Sequence, residues 1–402
     1  MRRVRSTLSY RDVCALAVHT LLGALGWASG QAAVAPTLLI QLLVRAAAEM
    51  RSLSAIVREA AAAPSPETVR LSLHGYLPES PAALLPALVQ ALHQRLPRAL
   101  SRRRRTMAAD LHLKPYYGDR DRPGVYRGKP KAGTKAFFAY ATLLVLREGQ
   151  AFTVGLTPVA AGEELADVPG RLLAQAAAAG LRPKHLLLDR GFYAAPVIAA
   201  LQRQGVAFVM PMIRRGKKPE GDFAGTGTQP FFRPGRYGWA RHTWEARPRR
   251  GGRRGPALTV TVDVCMAPDR KGRKRRRPRR PTGRPLVYIC HGLRRTPAGV
   301  RELYRRRFAI EASYRQLREG LARTSTRQAV VRLLLVGIAL VLRNLWVWLH
   351  WTKLGAGDAR HRRRRLERLR LRRLMRWLIR ALDELLGVRA EFVVIDADLE
   401  TA

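Results

Sequence analysis

Apolar residues recur at helical spacing over 13–25, 36–50 and 82–96, with Gly, Pro and Ser between the runs. The first hundred residues therefore read as an all-helical unit. Within it, Ser65-Pro66-Glu67 has the order of a helix start: a capping hydroxyl, a proline in the first turn, and an acid near the positive end of the dipole. The short helix it opens, through Arg70 to His74, suits either the recognition helix of a helix-turn-helix or an ordinary connector.

After the basic junction 102–105 the pattern changes to strands. Strands are expected at 107–113, 135–146 and 152–158, with Arg147-Glu148-Gly149-Gln150 as a hairpin turn. A helix over 163–179 is closed by Gly180, and 185–188 is wholly apolar, as in a strand buried on both faces. A helix at 194–204 and a strand at 207–211 follow. This order predicts an α/β core with a mixed sheet.

The pattern lapses between 212 and 285, where Gly, Pro and Arg dominate around one strand-like run at 257–266 and a basic run at 270–280. A strand at 286–290 resumes the core. Helices are expected at 297–319 and 326–351, and an amphipathic one at 363–386 carries leucines on one face and arginines on the other. The expected units are a helical 1–100, a core in two parts at 101–211 and 286–352, a basic β-containing insertion at 212–285, and a basic helix and tail at 353–402.

Composition narrows the partners. Among 402 residues, 74 Lys and Arg stand against 29 Asp and Glu, a formal charge of +45. Such a chain repels itself unless a polyanion neutralises it, which points to nucleic acid. Cys14, Cys265 and Cys290 are too scattered for a zinc ribbon or a disulfide framework and read as buried, reduced thiols. Residues 13–44 carry no Asp, Glu, Lys or Arg and resemble a signal peptide or membrane span. Polar residues and Pro36 interrupt them, and Asp12 stands where an apolar core would begin, so the expectation is two buried helices, no membrane and a cytoplasmic, nucleoid-associated protein.

In so basic a chain, acids in apolar or basic settings stand out. Asp110 lies in the first predicted strand, Asp189 ends the run Leu186-Leu187-Leu188, and Glu311 sits amid Arg307-Phe308-Ala309-Ile310-Glu311. Each alone has an ordinary reading, as a strand residue, an N-cap or an i±4 ion pair. Together, three converging carboxylates would call for a hard divalent metal. On one continuous helix, Tyr304, Arg307, Glu311 and Arg318 would fall within about 60° of one another. Such a stripe suits work on phosphates.

Tyr304-x2-Arg307-x3-Glu311-x6-Arg318 resembles the Y-R-E-K signature of DDE-class insertion-sequence transposases, with arginine in the final lysine position. Asp189-x-Gly191-x-Tyr193 is similar to the family's second-aspartate motif, and Asp110 stands in the strand that carries its first. The resemblance spans about residues 106–351. It implies an RNase H-like core interrupted by a β-rich insertion, and a metal triad of Asp110, Asp189 and Glu311. Two Mg²⁺ ions, with Mn²⁺ as substitute, would serve the chemistry. Tyr304, Arg307 and Arg318 would hold DNA phosphates. Trp239 and Trp244 are candidates to stack a flipped base. The implied activity is cleavage of transposon ends in double-stranded DNA and joining of their 3′-hydroxyls to target DNA, by a homodimer when DNA-bound. The competing expectations are a non-catalytic basic nucleic-acid-binding protein and an RNase H-like nuclease without strand transfer.

Overall fold

The computed structural model describes residues 7–147, 150–216, 227–247, 249–250, 253–269, 283–354 and 366–388. The basic run 270–280, the tip of the 147–150 turn, the start of the 363–386 helix and the tail beyond 388 lie outside these residues.

Five helices lead: α1 (Tyr10–Leu25), α2 (Pro36–Glu49), α3 (Leu53–Glu59), α4 (Pro66–Tyr76) and α5 (Pro81–His93). Their starts follow local chemistry. Ser9 and Asp12 form a reciprocal capping box at α1, and Ser65 accepts the amide of Thr68 at α4. The uncharged stretch 13–44 divides between α1 and α2, whose apolar faces are buried.

Strands β1 (Arg105–Pro115), β2 (Tyr126–Lys131), β3 (Thr134–Arg147) and β4 (Gln150–Val159) follow, then α6 (Asp167–Ala178). Gly180, just past α6, has φ of 70°, a left-handed turn that suits glycine. Next come β5 (Pro183–Leu188), α7 (Ala195–Arg203), β6 (Phe208–Pro211) and β7 (Gly238–Ala246). Arg249–Arg250 (β8) and Arg253–Arg254 (β9) pair as a short ribbon. The chain continues through β10 (Leu258–Ala267), β11 (Leu286–His291), α8 (Pro297–Arg305), α9 (Phe308–Arg318), α10 (Ala329–Leu349) and α11 (Leu371–Leu386).

The fold is mixed α/β. Among the described residues the main sheet runs β2-β3-β1-β5-β6-β11-β10-β7, with β4 also paired to β3. β1, β3 and β4 are antiparallel, and β5 and β6 run parallel to β1 and to each other. That is the RNase H-like order the resemblance implies. β10, the strand expected inside the insertion, and β7, where no strand was expected, extend this same sheet by antiparallel pairing through β11.

The two faces differ. Met107 and Ala109 join the larger core with α6, α7 and α10. Ala108, Leu187, Val209 and Cys290 instead pack beneath Val300, Leu303, Tyr304 and Ile310 of α8 and α9. Short amphipathic helices cannot bury their apolar faces alone, and the leading helices do so against the rest of the chain: α1 and α2 on α11, and α5 on α10 and β4. The expected unit 1–100 thus shares one core with the sheet and with α10 and α11. Buried Arg45 fastens it, reaching Glu49 and Glu59 at 3.0 Å each and Asp383 of α11 at 2.8 Å.

A bulge ties α10 and α5 to the sheet. The β3–β4 register jumps between Leu143↔Gly155 and Leu144↔Thr153, leaving Val154 outside the pairing. Asn344 takes up the freed groups: Thr153 N–H donates to its Oδ1 at 2.9 Å, and its Nδ2 donates to Thr153 O at 2.7 Å. His93 Nε2 lies 2.7 Å from the carbonyl of Val154. The apolar helix segment Ala329–Leu354 is long enough to cross a membrane, but 94% of its apolar window is buried within the fold.

Candidate active site

The parallel register of β1 and β5 creates the site. Ala109 pairs with Leu188, so the next position sets Asp110 beside Asp189. Strand alternation then turns both toward the face under α8 and α9, where Ala108 and Leu187 already point. Asp189 precedes a 3-10 turn at Arg190–Phe192, but its side chain makes no cap bond. Its carboxylate points instead toward the space below α9.

The helix expected over 297–319 is two helices. Around Arg306 and Arg307 the amides reach back three residues: Arg307 N to Tyr304 O at 2.9 Å and Ile310 N to Arg307 O at 2.8 Å. A 3-10 turn winds more tightly than an α-turn, so residues before and after it do not keep one stripe. Tyr304, on the α8 side, is buried; its hydroxyl donates to the carbonyl of Leu188 at 3.2 Å and its ring lies 5.0 Å from that of Tyr288. Arg318, at the far end of α9, lines a different cavity with Lys114.

Arg307 stands between them, and three acids converge on its guanidinium. Nη1 lies 3.2 Å from Asp110 Oδ2, and Nη2 lies 2.9 Å from Glu311 Oε1 and 3.6 Å from Asp189 Oδ1. Its planar fork presents N–H donors in fixed directions and so serves several carboxylates at once. Burial opposes its charge, yet the neighbouring Tyr304, Asp189, Asp110 and Glu311 outweigh that and hold its pKa above the ordinary value. Burial pushes Asp110 up to about 6 against the pull of Arg307, and Asp189 adds to the rise. Asp110 is thus the most enclosed acid, with 14% of its side chain exposed against 40% for Asp189 and 46% for Glu311.

Tyr314, which the sequence reading passed over, supports the cluster from below. Its hydroxyl donates to the backbone carbonyl of Asp110 at 3.0 Å and lies 2.8 Å from Thr142 Oγ1. Its ring stacks on His112, with centroids 4.8 Å apart. Its position three residues after Glu311, on the same side of α9, was the available signal.

The arrangement therefore differs from one continuous phosphate-facing stripe. Tyr304 turns inward, Arg307 is engaged with the acids, and Arg318 lies apart. The two candidate tryptophans occupy opposite faces of β7. Trp239 pairs with Cys265 and so shares the face of the acids; it is 38% exposed and its indole donates to the carbonyl of Arg295 at 3.0 Å. Trp244 is on the other face, parallel to the Tyr193 ring at 6.1 Å. Trp239 is five strand positions from β1, about 24 Å at 4.8 Å per strand.

The donor set suits a hard divalent cation in kind: three carboxylates from three elements, all turned toward one positive group. The guanidinium sets their present spacing, and no group of three or more His, Cys, Asp or Glu among the described residues is close enough to hold an ion as the side chains stand. In donor chemistry, three carboxylates gathered around one cation, the residues fit the group.

Comparison with known proteins agrees in class. No curated protein matches the sequence. Among solved structures, the cryo-EM structure of a piggyBac transposase synaptic complex with hairpin DNA is similar at 11% identity and a TM-score of 0.47, over 98% of this chain and 76% of that one; a likeness of that degree supports nothing further. The family described as transposase DDE domain matches residues 122–345, which include Asp189, Arg307 and Glu311 and begin twelve residues after Asp110. With more than half of its length matched, the chain belongs to the transposase DDE domain family.

Proposed function

We propose that this protein is a DNA transposase that cleaves transposon ends and joins their 3′-hydroxyls to target DNA by metal-dependent phosphoryl transfer. The observation that carries the reading is the convergence of Asp110, Asp189 and Glu311 on Arg307. The β1–β5 register and the turn at Arg306–Arg307 bring to one guanidinium three acids that lie far apart in the chain.

Asp110, Asp189 and Glu311 would hold divalent metal, two Mg²⁺ ions in the full reading, with Mn²⁺ as substitute. Bound there, the metal supplies Lewis acidity toward the phosphate and lowers the pKa of a nucleophilic water or hydroxyl. The chain's own residues do the rest. β1 and β5 fix two of the acids rigidly, and Tyr314 holds the Asp110 backbone in place. Arg307 neutralises the acids, and its place in the signature also suits it to a phosphate contact. Cleavage breaks a phosphodiester with water and leaves a free 3′-hydroxyl. Joining exchanges one diester for another, with that hydroxyl as nucleophile. The charge of +45 supplies the general attraction for double-stranded DNA. A homodimer on DNA completes the reading, because two ends must be joined together.

The test is nicking of supercoiled plasmid in Mg²⁺ or Mn²⁺ by the intact protein. Asp110→Asn, Asp189→Asn and Glu311→Gln should each abolish nicking and leave duplex binding in place. Nicking at the full rate by any of the three overturns the assignment. Nicking without joining of a supplied 3′-hydroxyl end would instead favour a simple nuclease.

A further inference from the structure

The two strand acids and the helix acid are tied to different parts of the fold. Asp110 and Asp189 stand side by side through the parallel register of β1 and β5, whose spacing of about 4.8 Å is fixed by main-chain hydrogen bonds. Glu311 stands on α9, which with α8 packs on the sheet through apolar side chains, and such contacts have no direction. Directional bonds from α8 and α9 to the sheet therefore fix where Glu311 sits over the strand ends.

Two hydroxyls supply them, one from each helix. Tyr314 of α9 donates to the carbonyl of Asp110 at 3.0 Å, and Tyr304 of α8 donates to the carbonyl of Leu188, the residue before Asp189, at 3.2 Å. Among the described residues these are the side-chain bonds that run from the two helices to the main chain of β1 and β5. Tyr304 is 8% exposed, belongs to the apolar cluster of Leu187, Leu303 and Ile310, and has its ring 5.0 Å from that of Tyr288. The guanidinium carbon of Arg307 lies 5.6 Å from the centroid of the same ring. One side chain thus touches both the strand end that leads into Asp189 and the cation that all three acids share. Turning out to a phosphate would break the bond to Leu188 O and take the ring out of the core, losing both partner and packing.

We propose that Tyr304 is a positioning residue for Asp189: its hydroxyl, together with that of Tyr314, sets the distance between the strand acids and Glu311 at which a divalent metal is held. The inference rests on the proposed function for the metal. It gives the tyrosine of the signature this role in place of the phosphate contact that the resemblance implies. Reacting groups misplaced by about 1 Å can lose about a hundredfold in rate, so one bond to the carbonyl beside Asp189 is enough to matter.

The experiment compares the intact protein with Tyr304→Phe, which keeps the ring beside Tyr288 and Arg307 and removes only the hydroxyl. The probe is Mn²⁺, with the free ion read by electron paramagnetic resonance, without DNA and at a temperature where circular dichroism shows every variant folded. Tyr304→Phe should weaken Mn²⁺ binding by about tenfold and raise the Mg²⁺ concentration for half-maximal nicking by a similar factor. Duplex affinity in chelator, by fluorescence anisotropy, should stay as in the parent. In an Asp189→Asn background, Tyr304→Phe should weaken Mn²⁺ binding no further, because the hydroxyl acts through Asp189. A general loosening of the fold would instead weaken binding equally in both backgrounds, and that result overturns the inference. Unchanged Mn²⁺ binding with weaker duplex binding would make Tyr304 a phosphate contact, and no change in either would make it packing alone. Either result overturns the inference and leaves the acids as the metal site, provided that Asp189→Asn itself weakens Mn²⁺ binding. If Asp189→Asn binds Mn²⁺ as the parent does, the acids are not the metal site and the inference falls with the proposed function.

Discussion

Arg307 Nη1 lies 3.2 Å from Asp110 Oδ2, a contact between residues 197 positions apart in the chain. It places a cation at the point where a strand acid, a loop acid and a helix acid meet. Without it, three carboxylates would face one another beneath α9.

Arg307→Ala should therefore destabilise the metal-free protein by about 2 kcal/mol, less than the loss of a fully buried partner because Asp189 and Glu311 remain partly in water. Urea denaturation with a chelator present measures this. Adding Mg²⁺ should recover part of the loss, and an Arg307→Ala protein as stable as the parent in chelator would mean that the guanidinium is not the acids' counter-ion.

Tyr314→Phe removes the hydroxyl that donates to Asp110 O and contacts Thr142. A loss of about 1 kcal/mol in stability is expected. Nicking should fall further than that loss explains, because the Asp110 backbone is no longer held. Equal nicking in both proteins at a temperature where both are folded would show that Tyr314 serves packing alone.

Acid should loosen the tie between the first and last helices. Arg51 and Arg45 outweigh burial and hold the Glu59 pKa below its ordinary 4.5. A carboxylate lowered in the folded state contributes stability above about pH 4.5 and loses it as the pH falls through the folded value. Glu59→Gln should flatten the stability profile in that window, measured by urea midpoint against pH. A profile unchanged by the substitution would assign the acid sensitivity elsewhere.

Asn344→Leu keeps the side-chain volume but leaves the Thr153 N–H and C=O without their partner inside the core. At about 1–3 kcal/mol for each of the two orphaned groups, a loss of about 2–6 kcal/mol is expected. Chemical denaturation reads it directly, and a loss under 1 kcal/mol would show that the bulge repairs itself.

DNA affinity should fall steeply with salt, each neutralised phosphate adding about 0.9 to the log–log slope. Deleting the basic run 270–280 should lower that slope, as measured by fluorescence anisotropy. An unchanged slope would place the run away from DNA.

Most elements of this protein were legible because their causes are local. Ser65 with Pro66, and Gly180, mark helix ends through bonds within a few residues, and the short apolar run before Asp189 suits a strand buried on both faces. The types of the site residues were legible too, since an acid between apolar and basic neighbours has few ordinary uses. Tertiary structure alone decided what joins them. β7 alternates polar with apolar residues and includes His242 and Trp244, so nothing local shows that it extends the main sheet. The unbroken helical pattern of 297–319 does not reveal the 3-10 turn at Arg306–Arg307, because the residues there are ordinary helix formers. Packing Tyr304 under β5 and Arg307 against Asp110 sets that turn. Hydrogen bonds within four residues are written in the chain, whereas the partner of a buried charge is chosen only when distant strands and helices close around it.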